Sequence, residues 1–140
     1  MKSTLNFRVR YQETDQMGIV HNSVYLIWFE VGRTEWMRQK GMTYRDCERQ
    51  GWLLPVVESG CRYFHPARYD DLLEIETVLE PENGAAFTFQ YYIRRVEAEG
   101  GTAGLLLAAG FTKHVCISKD YKINKAATKE LKTRFSESNA

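Results

Sequence analysis

The chain has 140 residues, 44% of them hydrophobic and 26% charged, and a formal net charge of +1 at neutral pH. That length suits one domain with a sizeable core, and the near-zero charge excludes a global field that would gather nucleic acid or an anionic membrane. The three cysteines, Cys47, Cys61 and Cys116, are odd in number and lack metal-ligand spacing. They read as reduced, inert thiols in a soluble cytoplasmic protein with no metal, since the N-terminal residues carry no apolar leader and no stretch has the length of a membrane span.

In chain order, Leu5, Phe7, Val9 and Tyr11 alternate with Asn6, Arg8 and Arg10, the period of a half-buried strand. A short loop containing Gly18 follows, and Asn22 or Ser23 offers an N-cap to a helix running from Ser23 to about Lys40. Val24, Ile27, Trp28, Val31, Glu35 and Trp36 fall at helical spacing, so the helix is expected to be buried on more than one side. Gly32, in its middle, costs roughly 1 kcal/mol against alanine, which predicts a close backbone approach there. A short amphipathic segment spans Tyr44–Gln50. The remainder reads mostly as strand: Leu53–Tyr63, which contains Pro55 and Gly60 and so is expected to bend or bulge within its length, then Leu73–Leu79, a turn at Pro81–Gly84, and Phe87–Ile93. A turn at Glu99–Gly101 leads into Thr102–Ile117, whose core is apolar on both faces and is expected centrally in its sheet with something packed on each side. A polar helix, Lys125–Phe135, ends the chain. The layout predicts an α+β fold: an antiparallel sheet wrapped around one long helix, as a single domain over residues 1–140.

Asp15 stands just ahead of that helix. A carboxylate beside a helix N-terminus joins a base or nucleophile to free backbone N–H donors that can polarise a carbonyl, the pairing that acyl transfer or hydrolysis needs. The plainer reading is an Asx-turn residue that organises its own loop.

Tyr11-x-x-Thr14-Asp15-x-x-Gly18-Ile19-Val20, followed by Ser23-x-Tyr25-x-x-x-Phe29-Glu30-x-x-Arg33-Thr34-Glu35, resembles the 4-hydroxybenzoyl-CoA thioesterase family, in its YbgC-type acyl-CoA thioesterase branch. Tyr63-x-x-Pro66-Ala67-Arg68-x-Asp70-Asp71-Leu72 is similar to the same family, and together these cover nearly the whole chain. The resemblance implies the hot-dog fold, with a five- or six-stranded antiparallel sheet around the central helix. It implies edge-to-edge homodimers that often pair into tetramers, active sites between subunits, an acyl-CoA substrate, and neither metal nor other cofactor. It also implies Asp15 as nucleophile or general base. Relatives commonly carry histidine where this chain has Asn22 and asparagine where it has Val24. His21 stands one place early, about 100° round a helix, and so does not simply inherit that role.

Candidate substrate-binding residues are Tyr11, Gly18, His21, Asn22, Tyr25 and Arg68. Asn22 reads as an N-cap or a hydrogen-bond partner of the thioester oxygen, and His21 as a substrate contact or a loop-packing residue. Tyr25 and Tyr11 read as pocket wall, Gly18 as a point of close backbone approach, and Arg68 as a phosphate contact at the pocket mouth. Glu30 and Glu35 need partners if the helix is buried, with Arg33 available to Glu35. Rival readings are a thioesterase for acyl-carrier-protein or aromatic acyl-CoA substrates, and a non-catalytic acyl-CoA-binding dimer.

Overall fold

The computed structural model describes residues 2–97 and 103–137. In chain order the elements are β1 (Lys2–Arg8), a 3-10 turn (Tyr11–Glu13), α1 (Asn22–Gln39), α2 (Tyr44–Arg49), β2 (Val56–Tyr63), β3 (Leu72–Glu80), β4 (Ala86–Val96), β5 (Ala103–Val115) and α3 (Lys125–Ser136). The five strands form one sheet in the order β1-β3-β4-β5-β2, with every adjacent pair antiparallel. β5 therefore lies between two strands, as expected, but this chain does not cover both of its faces, since Leu105 is exposed. The expected irregularity in β2 is a register shift between Val56 and Glu58, while Leu53 survives only as an isolated bridge to Ile117. The expected Glu99–Gly101 turn lies outside the described residues.

One sheet face packs on α1. From β3 and β4 the inward residues Leu73, Ile75, Phe87, Phe89, Tyr91 and Ile93 are fully buried, and α1 contributes Trp28, Phe29, Trp36 and Met37. Phe29 stacks on Tyr91 at 4.4 Å between ring centroids, and Trp36 meets Phe89 and Phe135 edge-on. Gly32 is the crossing point predicted from sequence: a Cβ there would lie 2.6 Å from Thr77 Oγ1 and 2.9 Å from Ile75 Cδ1.

Three expectations for α1 need correction. The helix starts one residue earlier than expected, and His21, not Asn22 or Ser23, is its N-cap. Ile27 and Val31 are exposed in this chain, because the helix buries one face on the sheet and leaves the opposite one outside. Glu35 pairs with Arg38 and not with Arg33, and Glu30 is exposed, so neither glutamate is a buried charge. Arg33 is the buried member of the set. Its Nε donates to Tyr44 Oη at 2.8 Å.

Tyr91 and Thr112 hydroxyls bond each other, and Thr112 Oγ1 lies 2.8 Å from His114 Nε2. His114 Nδ1 lies 3.2 Å from the Leu54 carbonyl, which can only accept, so Nδ1 carries the proton and Nε2 accepts. Burial pushes this imidazole down to about 4, with the Arg33 charge acting in the same direction against hydrogen bonds to the Leu54 and Pro55 backbone. Between that value and the unfolded value near 6.5 the unfolded chain binds more protons, so stability is complete above pH 6.5 and falls as pH drops toward 4. The expected loss is at most roughly 3 kcal/mol. Denaturant midpoints measured from pH 7 to pH 4 check it, with His114→Gln flattening this part of the profile.

Candidate active site

The loop from Glu13 to His21 is closed by backbone bonds: His21 N–H donates to the Glu13 carbonyl at 3.0 Å, Asp15 N–H to Ile19 O at 2.9 Å, and Gly18 N–H to Asp15 O at 3.0 Å. Gly18 has φ +78° with nothing within 4 Å of a Cβ, so glycine is required by the left-handed turn and not by the close approach expected from sequence. Val20 N–H reaches the Ala67 carbonyl at 2.8 Å, which ties the loop to the corner after β2.

At the helix start, His21 Nδ1 accepts the Ser23 N–H at 3.2 Å and lies 2.8 Å from Ser23 Oγ. An extended backbone with an imidazole nitrogen as acceptor performs the task that asparagine was expected to perform. Val24 N–H bonds the His21 carbonyl. Among the described residues, the Asn22 N–H has no such acceptor, leaving it as a free donor at the positive end of α1.

A cavity of about 460 Å³ opens at this point, lined by Asp15, Met17, Ile19, Val20, His21 and Asn22 from the loop and helix start, Tyr25 from α1, and Tyr63–Pro66 from the end of β2. It brings together Asp15, His21, Asn22 and Tyr25 from the sequence-derived set, with Gly18 inside the loop. Tyr11 and Arg68 lie outside the lining. Tyr11 is exposed and packs edge-on against Tyr69, and Arg68 donates its backbone N–H to Asp71 Oδ2 while its side chain is exposed.

Asp15 is half-buried, and its Oδ1 accepts the Met17 N–H at 2.8 Å. The Asx turn is therefore present, and it fixes one oxygen of a carboxylate that still lines the cavity. Burial pushes the Tyr25 phenol up, against a smaller lowering by a backbone hydrogen bond at Ala67. Tyr63 meets Tyr25 edge-on and donates its hydroxyl to the Asn22 carbonyl at 3.2 Å. Burial, then the neighbouring Cys61 thiol, pushes the Tyr63 phenol up to about 12, so it stays a donor at neutral pH.

Sequence reasoning quoted Tyr63 and Pro66 only as marks of resemblance and passed over Phe64 and Met17 as site residues. Their signal was adjacency to motif positions, but nothing local showed that the end of β2 meets the Asp15 loop. Burial pushes Cys47 up to about 12 and Cys116 up to about 11, which keeps both thiols protonated and poor nucleophiles. Among the described residues no group of three His, Cys, Asp or Glu side chains could hold a metal ion, and no helix is long and apolar enough to cross a membrane.

Residues 9–135 match the model of the thioesterase-like superfamily. The chain belongs to that superfamily. As a member it is a thioester hydrolase, and its five-stranded sheet around α1 is the hot-dog fold that its resemblance implied. It is 37% identical over 118 residues to YneP of Bacillus subtilis, covering 84% of this chain and 81% of that one. It is 31% identical over 129 residues to the acyl-CoA thioesterase YbgC of Haemophilus influenzae, covering 91% and 90%. The crystal structure of a DHNA-CoA thioesterase from Staphylococcus aureus matches with a TM-score of 0.84 at 28% identity over 96% of this chain and 89% of the other.

Proposed function

We propose that this thioesterase hydrolyses acyl-CoA, with Asp15 as the reacting carboxylate and the Asn22 N–H as a donor to the thioester oxygen. The observation that carries the reading is the joint presence, in one cavity, of a carboxylate and a helix start whose first N–H is unspent. The YbgC and DHNA-CoA thioesterase relatives support a CoA thioester as the substrate class.

The chemistry needs little else. A thioester carbonyl with its oxygen on the Asn22 N–H gains stabilisation as negative charge develops there, roughly 3–4 kcal/mol for one well-placed donor. Asp15 either attacks the carbonyl carbon, expelling the CoA thiolate and leaving an anhydride that water opens, or takes a proton from a water that attacks directly. Both routes consume one water and release the free acid and the thiol. Met17, Ile19, Val20, Tyr25, Tyr63 and Phe64 supply the apolar wall against which an acyl group packs.

Two chains joined through β2 would extend this site. β2 is an outer strand of the sheet, with Val56 and Val57 exposed, and Leu26, Ile27 and Val31 of α1 are exposed as well. Such a dimer would cover these groups and bring a second chain's residues to the cavity mouth. Thiol release from a panel of aliphatic and benzoyl-type CoA thioesters tests the function. Turnover supports it and reads out acyl preference, whereas saturable binding without turnover would reduce the protein to an acyl-CoA-binding module.

A further inference from the structure

Glu13 lies two residues before Asp15 and is 6% exposed. Both carboxylate oxygens are occupied. Oε1 accepts the Arg10 N–H at 2.7 Å, and Oε2 accepts Trp28 Nε1–H at 3.0 Å, with Arg10 Nη2 at 3.5 Å. The Glu13 carbonyl meanwhile accepts the His21 N–H and so forms the base of the closed Asp15 loop. Trp28 stands on α1, the helix whose first residue is Asn22, and is itself 3% exposed and packed against Phe7 and Tyr25. A helix is rigid over that span. The Glu13–Trp28 bond therefore joins the root of the loop bearing Asp15 to the element bearing the Asn22 N–H.

We propose that Glu13 is a positioning residue for hydrolysis: its carboxylate clamps the Asp15 loop to Trp28 and sets the Asp15 carboxylate against the Asn22 N–H. This rests on Asp15 being the reacting carboxylate. The loop's own backbone bonds set its internal shape. What the clamp adds is the loop's placement relative to the helix, to which catalysis is sensitive, since a displacement of about 1 Å can cost about 100-fold in rate.

Glutamine is the informative replacement. A carboxylate accepts at both oxygens, whereas an amide accepts at one end and donates at the other. In either orientation Glu13→Gln turns an NH₂ toward an N–H, that of Arg10 or that of Trp28. Trp28→Phe deletes the indole donor while keeping an aromatic ring. The double variant Glu13→Gln/Trp28→Phe removes the opposed donors but still has no clamp.

The test compares kcat and KM for acyl-CoA hydrolysis, thermal midpoints and the Trp28 indole N–H proton resonance across wild type, both single variants and the double, with Asp15→Asn in parallel. Expected are a fall in kcat of about tenfold or more in each single variant and KM within about twofold of wild type. The double variant should regain thermal midpoint relative to Glu13→Gln while kcat stays low, and Glu13→Gln should shift the indole resonance. Wild-type kcat in Trp28→Phe, with Asp15→Asn inactive, would overturn the clamp and leave the functional reading intact. Losses of activity merely proportional to loss of folded protein would overturn it too. An active Asp15→Asn would remove the functional reading beneath it.

Discussion

Asp15→Asn is expected to lower kcat for acyl-CoA hydrolysis by about 10²–10⁴-fold while leaving the protein folded. Asparagine is isosteric, and its Oδ1 can keep the bond from the Met17 N–H that organises the turn. What it loses is the charge and basicity that either attack on the carbonyl or activation of water requires. KM should change far less than kcat, because the cavity wall and the Asn22 N–H are untouched. Steady-state thiol release, with a circular-dichroism spectrum as the folding control, checks this. Turnover close to wild type would move the chemistry to another group in the cavity.

Gly110→Ala is expected to be the most damaging small substitution in the sheet. Gly110 lies opposite Tyr91 on β4 and Cys61 on β2. A Cβ there would stand 2.4 Å from the Gly60 carbonyl oxygen and 2.6 Å from Phe29 Cε2. The carbonyl belongs to a paired strand and the ring is stacked on Tyr91, so neither neighbour can yield without breaking a ladder or the core. Overpacking of a dense core typically costs 1–3 kcal/mol, and a clash with backbone belongs at or above the upper end, about 3 kcal/mol. For a chain of this size that is a fall in Tm of roughly 10 °C, measurable by calorimetry. A Tm within about 2 °C of wild type would mean that β5 can shift away from β2 at little cost.

The Asp15 loop and the start of α1 were legible in the sequence because their residues are neighbours in the chain. Asp15, Gly18, His21, Asn22 and Tyr25 span only eleven positions, and the turn chemistry and capping rules that arrange them are local. Even there, one local choice went differently. His21 capped the helix because an imidazole nitrogen can accept the Ser23 N–H. Tyr11 and Arg68 were placed near the site by proximity to motif residues. The fold turns Tyr11 toward Tyr69 and leaves the Arg68 side chain outside the cavity lining.

Hydrophobic periodicity determined the α+β layout and the long helix, and local glycine and capping chemistry determined the crossing at position 32 and the carboxylate beside a helix start, since each is set within one segment. Only the tertiary structure decided which polar groups are buried and what they meet. Glu13 and Trp28 are separated by 15 positions, Tyr63 and Asn22 by 41, and His114 and Leu54 by 60. The same carboxylate chemistry that is open to a cavity in Asp15 is closed off in Glu13. The difference lies in the indole that folding brings against it, because a side chain's solvation is set by its neighbours in space, which short-range spacing does not encode.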